Sequence, residues 1–393
     1  MHAGRWFASV VVAASAAVVP AVFTGTAGAV AVVREPATRE VSGAGAWGAA
    51  MMPPGLPSLQ RGANPVESDV SVVACASADN CSAAGYYSSR SRQGGGNDRG
   101  YVVNEVNGTW RHVIKIAGIT LSPRGGGIVR PLSVSCAKAG ECSVVGDYEP
   151  APPPTPFHAF VASEVHGAWH AATAVPGMAA LDHGGTADLG AVSCSSPGNC
   201  SAGGGYSTSS SIGQAFVVDE IHGIWHTAVK VPGITGLNHG RAAITEMSCV
   251  SPGNCSAGGD YQDTLGRTQV FAVNEVNGTW QDAIKVPGTV AVDQYSVGGV
   301  AAVSCAGPGN CSAGGTFRSP RDPLQKEDAF VVDEVNGTWH TATVVPGLAR
   351  LSQSGSAHFY ALSCGAVANC SAGGIYDLAN NPASEQAFLV SEK

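Results

Sequence analysis

The chain has 393 residues, only 13% of them charged, and a net charge of −8. No basic stripe runs through it, which argues against nucleic acid or an anionic membrane surface as partner. The length is ample for a large buried core.

The first residues, MHAGRWFASVVVAASAAVVPAVFTGTAGAVA, place Arg5 ahead of an uncharged run from Trp6 to Phe23 and a small-x-small site at Ala27-Gly28-Ala29. This is the three-part pattern of a secretory signal peptide, with cleavage expected after Ala29. The expected domains are a signal over 1–29, a flexible segment over 30–40 and one repeat domain over 41–393. No later apolar run is long enough for a helical span, so no membrane insertion is expected after cleavage. Sparse lysine with abundant alanine and glycine suits a GC-rich bacterial source.

Twelve cysteines follow as six pairs with one spacing: Cys75 and Cys81, Cys136 and Cys142, Cys194 and Cys200, Cys249 and Cys255, Cys305 and Cys311, Cys364 and Cys370. An even count at regular spacing behind a signal peptide reads as disulfides in an oxidising compartment. Structural zinc sites need two to four residues between cysteines and a second ligand pair close by, so no metal is expected. No cofactor is expected either.

The pairs mark a repeat of 55 to 61 residues. Each unit contains four short runs rich in β-branched and aromatic residues, separated by turn residues, and each run predicts a strand. Strand a ends at the first cysteine. Strand b runs from the second cysteine to an aromatic, such as Tyr206. Strand c is an apolar run such as AFVVDEV (329–335), and strand d carries a tryptophan. Asn-Gly or His-Gly joins c to d, a signature of a type I′ hairpin turn, which needs positive φ at both positions. Cysteines flanking the five-residue a–b loop face each other across the hairpin and staple it. The glutamate before each c–d turn (Glu105, Glu164, Glu220, Glu275, Glu334, Glu392) reads as a solvated strand end, and the aromatics closing strand b read as core.

Trp47 precedes the first cysteine pair without strands a to c, whereas the last unit stops after strand c. Complementary ends predict a ring. The expected fold is all-β, a six-bladed β-propeller of four-stranded antiparallel blades, closed by the N-terminal strand completing the last blade. A monomer is expected.

The GG-aromatic end of strand b, the acidic apolar run and the following Trp and Pro resemble a kelch blade. The order GNCSAGG…QAFVV, with His158-Ala159-Phe160, resembles bacterial extracellular HAF-type repeats. Both resemblances imply a secreted propeller and neither carries an activity over. The NGTW turn is similar to the Asp-box of sialidases but departs by one residue and lacks the aspartate.

No catalytic motif of the G-x-S-x-G, P-loop or calcium-loop kind is present. The pairs His166/His170 and His222/His226 flank hairpin turns and have no acidic third ligand nearby. Function is therefore expected where repeat symmetry breaks, on the face carrying the variable b–c and d–a loops. Six residues before the first cysteines stand Asp69, Arg130, Asp188, Ala243, Gly299 and His358, and after the strand-b glycines stand Asp147 and Asp260, among others. The d–a loops add His183, His239 and Arg241. The expected binding set is Asp69, Arg130, Asp147, Asp188, Asp260, His183, His239, Arg241 and His358, and the expected partner is extracellular polysaccharide or another secreted protein. The alternatives are a glycoside hydrolase or lyase using carboxylates among Asp69, Asp147, Asp188 and Asp260, and a structural envelope protein.

Overall fold

The computed structural model describes residues 49–63, 66–89, 98–122, 127–150, 155–208, 212–289, 297–318, 326–353, 355–378 and 381–392. The expected signal peptide, the expected flexible segment over 30–40 and most of the expected closing strand lie outside them. By contacts the chain divides into residues 1–52 and 53–393, and the second unit holds the repeat.

The repeat folds as six antiparallel sheets in chain order, one per cysteine pair, with strand order a-b-c-d in the first five and a-b-c in the described part of the sixth. Strand d is split, which the sequence reading missed. Each of the first five sheets carries two two-residue strands on the far edge of strand c, such as Thr109–Trp110 and Ile114–Lys115 in sheet 1, and so has five strands. The c–d turns have the expected geometry, with φ of 51° at Asn107 and 72° at Gly108, and 52° at both His166 and His222.

All six disulfides are formed across the a–b hairpins: Cys75–Cys81, Cys136–Cys142, Cys194–Cys200, Cys249–Cys255, Cys305–Cys311 and Cys364–Cys370, with Cα separations of 3.9–4.0 Å. The strand limits around them need correction. In no sheet does strand a end at its cysteine, or strand b begin at Cys81, Cys142, Cys200, Cys255, Cys311 or Cys370. Strand b begins one residue earlier, at Asn80, Glu141, Asn199, Asn254, Asn310 and Asn369, because these pair with Ser77, Lys138, Ser196, Ser251, Gly307 and Ala366 beyond a bulge in strand a. The a–b turn is therefore tighter than a five-residue loop, and a two-residue turn such as Pro197-Gly198 closes the hairpin. The environments of the staples differ as well. Cys370 is buried and its Sγ lies 3.2 Å from the Ser312 hydroxyl of sheet 5, whereas Cys81, in the first sheet, is only half-buried. Each staple contributes about 2 kcal/mol by restricting the unfolded chain, so full reduction is expected to lower the urea midpoint by several times the effect of opening one bridge.

Short helices were also unforeseen, four of them lying wholly within the described residues: α1 (Leu56–Leu59), α2 (Met178–Asp182), α3 (Ile234–Leu237) and α4 (Leu348–Ser352). Each starts after a glycine with φ between 71° and 85°, a conformation that glycine adopts without strain. Ile234 of α3 packs among the residues shared by sheets 3 and 4. Before sheet 1, Pro54 O accepts a hydrogen bond from Val113 N at 2.9 Å. Pro176, Pro232 and Pro287 do the same for Ala228, Ala283 and Ala342 at 2.8 Å. Residues 53–59 thus fill the connector position that precedes each later sheet.

Successive sheets pack face to face. One cluster of buried side chains joins sheets 1 and 2, and others join 2 and 3, 3 and 4, 4 and 5, and 5 and 6. Among the described residues no such cluster joins sheet 6 to sheet 1. Leu389 of sheet 6 is 90% exposed, whereas Val217 in the same repeat position is fully buried. Val73 of sheet 1 is 57% exposed against 7% for its counterpart Val192. Among the described residues sheet 6 has three strands, and its last strand, Asn381–Ser391, pairs with strand b alone.

The glutamates before the c–d turns correct the sequence reading. Glu164, Glu220, Glu275 and Glu334 are only 2–4% exposed, because each reaches into the preceding sheet. Ser163 and Ser143 donate to Glu220 at 2.7 and 3.3 Å, Ser201 to Glu275 at 3.4 Å, and Ser256 to Glu334 at 3.0 Å. Asn104 and Asn274 donate to Glu164 and Glu334. The tryptophan paired beside each glutamate also reaches back: Trp169, Trp225, Trp280 and Trp339 donate their indole N–H to Asn104, Ser163, Asp219 and Asn274. Burial pushes all four carboxyls above their ordinary range, Glu275 to about 7. Their repetition has a structural cause, since the residues form an inter-sheet latch.

Candidate functional site

At the variable-loop end, the residues six before the first cysteines pair across each a–b ladder with the residue after the strand-b glycine. These rows are Arg130 with Asp147, Asp188 with Gly205, Ala243 with Asp260, and His358 with Ile375. The glycine beside each row has a packing reason. A Cβ on Gly146, Gly204, Gly259 or Gly374 would stand 1.9–2.1 Å from the carbonyl oxygen of Arg130, Asp188, Ala243 or His358. The bare glycine lets strand a lie close enough to present those positions.

Arg130 forks onto Asp147, with Nε donating to Oδ1 at 2.9 Å and Nη2 to Oδ2 at 2.7 Å. Its guanidinium also lies 4.5 Å from the ring centre of Phe157, a favourable cation–π distance. The pair is therefore fixed on two sides. Asp147 is buried, and that burial raises its pKa against the opposing pull of Arg130.

Asp188, on strand a of the next sheet, touches water although protein atoms crowd around it. That crowding pushes its pKa to about 6, with further raising by Asp147 and Asp260 and lowering by Arg130 and Arg241. Burial also raises Asp260, which Arg241 partly offsets. Acids and bases from sheets 2, 3 and 4 thus act on one another through a connected row.

The other expected residues divide. Asp69 accepts from the Tyr86 amide at 3.1 Å and from the Ser71 hydroxyl at 3.0 Å. It raises the pKa of Tyr86 after burial, while Arg130 lowers it, so sheet 1 touches the edge of the row. His358 belongs to a separate group on sheets 5 and 6. Its Nδ1 lies 3.1 Å from Glu327 Oε2, whose other oxygen is 3.5 Å from Arg318. The Glu327 bond raises the His358 pKa and lowers that of Glu327. His183 is an exposed helix C-cap with φ of 51°, and His239 is exposed with its amide bonded to Gln262 O at 2.8 Å. Among the described residues neither histidine ring bonds to the row.

Sequence reading missed Asp98, Phe157, Glu246 and Glu327. Glu246 had a readable signal, as it stands three before its cysteine where the other units have Val72, Ser133, Ala191, Ala302 and Ala361. Burial alone pushes it to about 7. Among the described residues no three His, Cys, Asp or Glu side chains converge as a metal site.

No family model and no curated protein matches the chain. Among solved structures, it is similar to a Dyadobacter fermentans protein of unknown function, with 11% identity, a TM-score of 0.45, and coverage of 84% of this chain and 95% of that one. A neuraminidase-like protein of subtype N11 from a flat-faced-bat influenza virus gives 11% identity, a TM-score of 0.41 and coverage of 82% and 86%. The fucose-specific lectin of Aleuria aurantia gives 12%, 0.37, and coverage of 81% and 90%. At such identities and scores these likenesses decide neither activity nor ligand.

Proposed function

We propose that the protein is a secreted binding module whose variable-loop face holds carbohydrate or a cell-wall polymer. The supporting observation is the row Arg130–Asp147–Asp188–Asp260–Arg241, carried by three consecutive sheets, with the Arg130–Asp147 pair fixed by a two-pronged bond and Asp188 open to water. Sugar hydroxyls both donate and accept, so a surface with carboxylates flanked by guanidinium groups matches them, and Arg130 is already oriented by Asp147 and Phe157. Six disulfides support an oxidising, extracytoplasmic setting. No helix among the described residues is long and apolar enough to cross a membrane.

One observation favours a second reading, hydrolysis. Asp188 is an accessible carboxyl with a pKa near 6 beside two other carboxyls, which suits a general acid. Incubation with insoluble polysaccharides and cell walls separates the two. Depletion of protein from solution without new reducing ends supports binding, released reducing ends support hydrolysis, and neither result removes both. In the binding case Arg130→Ala is expected to weaken retention at least tenfold.

The architecture is part of the same proposal: a kelch-like, HAF-type propeller of six blades in which residues 41–52 supply the strand that sheet 6 lacks. Repeat arithmetic assigns Trp47 to Glu392, as Trp110 pairs with Glu105 and Trp339 with Glu334. Deleting residues 41–52 is expected to lower the thermal midpoint by several degrees; an unchanged midpoint contradicts closure.

A further inference from the structure

At the opposite end of the sheets from the charged row, the a–b and c–d turns of sheets 4 and 5 enclose a crevice of about 470 Å³. Its inner wall includes Ser256 and Glu334, both 2% exposed and bonded to each other. Nearer the mouth stand Gln281, Asp282 and Asn336, and Trp339 forms part of the lining.

The same place in the repeat between sheets 2 and 3 is a smaller crevice of about 290 Å³. There Glu141 replaces Asn254, Ser163 replaces Asn274 and His222 replaces Asn336. The repeat thus keeps the position of the crevice while its volume and lining change, so ligand preference at this position is set by the substituted residues.

We propose that the crevice between sheets 4 and 5 binds one neutral saccharide ring. Its volume falls within the range of small-ligand pockets, roughly 300–1,000 Å³. Carboxamides offer both donors and acceptors, as hydroxyl groups do. Among the described residues no lysine or arginine lines the crevice, which disfavours an anion; Ile284, exposed in its lining, suits the C–H face of a sugar, and the buried Trp339 indole behind it serves as a reporter of occupancy. This site lies outside the variable-loop row, so the protein would hold saccharide at two ends.

The test is a titration of isotope-labelled protein with glucose, galactose and N-acetylglucosamine, read from its NMR amide and indole signals. At least one sugar is expected to shift the Trp339 indole signal saturably. The double variant Gln281→Ala/Asn336→Gly should weaken that binding at least fivefold. Glycine keeps the turn at position 336, where φ is 49°, and if this variant folds poorly, Asp282→Lys at the exposed mouth should block entry with the same loss. Absence of a saturable Trp339 shift with all three sugars overturns the proposal, as does undiminished binding in a folded variant. Shifts confined to the Arg130–Asp260 end would overturn the crevice while leaving the variable-face reading intact.

Discussion

Raising the pH from about 5 to about 8 is expected to destabilise this protein, opposite to a protein whose carboxylates are held charged by salt bridges. Glu164, Glu220, Glu275 and Glu334 all have folded-state pKa values above their ordinary 4.5 because the neighbouring sheet buries them. A carboxyl with a raised folded pKa binds its proton more tightly when folded. Its contribution is therefore full below the unfolded value and is lost as pH rises through the folded one. For Glu275 the window runs from 4.5 to about 7. At 1.36 kcal/mol per unit, and allowing for water at the crevice, that one group contributes roughly 2 kcal/mol. Asp188 and Glu246, near 6 and 7, act with the same sign, as does His358, whose charged form Glu327 favours. Asp263 and Glu327, whose pKa values are lowered, act oppositely and lose their contribution only at more acidic pH. Urea midpoints across this range should fall toward alkaline pH, and Glu275→Gln, which mimics the protonated acid, should flatten the slope. A midpoint that rises toward pH 8 contradicts the latch as described.

The second large effect is expected at a glycine. A methyl group on Gly259 would stand 2.1 Å from the Ala243 carbonyl oxygen and 2.7 Å from the Phe271 ring. Backbone on one side and a fully buried ring on the other leave nothing flexible to move, so Gly259→Ala should cost about 3 kcal/mol or more. It should also displace Asp260, the adjacent member of the charged row, and so weaken any binding there. Gly307 is the internal control, because a methyl group there meets nothing within 4 Å, and Gly307→Ser should stay within about 0.5 kcal/mol of the parent. Chemical denaturation of the two variants decides it. Equal stability would mean that strand a can retreat from strand b and that these rows are not held rigidly.

These two effects mark where sequence reading succeeded and where it stopped. Hairpins, c–d turns and all six bridges were legible because each depends on residues a few positions apart: Cys194 and Cys200, or Asn277 and Gly278. The bulge that starts strand b one residue ahead of the second cysteine in every sheet was not read, although its mark stands in the sequence as an asparagine before the cysteine in five units, such as Asn199, whose side chain bonds back to Ser196 across the turn. Arg130 and Asp147 could be singled out from repeat register, since both break a column of otherwise small or varied residues. The role of Glu275 was hidden because its partner, Ser201, lies 74 residues away and is itself an ordinary repeat position. The split of strand d and the short helices after Gly177, Gly233 and Gly347 were missed, although each helix starts at a Pro-Gly whose glycine has positive φ, because runs of two to five residues are too short to show a hydrophobic period. His183 and His239 looked like rim ligands from loop position alone, yet both are exposed apart from the row.

Whether Arg130, Asp147, Asp188, Asp260 and Arg241 form one saccharide-binding surface is open to a direct measurement. Amide chemical shifts of labelled protein can be mapped during titration with soluble oligosaccharides released from a polysaccharide that retains it. Saturable shifts are expected along the strands that carry those five residues, and they should be lost in Arg130→Ala. Shifts elsewhere, or shifts that survive Arg130→Ala undiminished, would contradict that assignment.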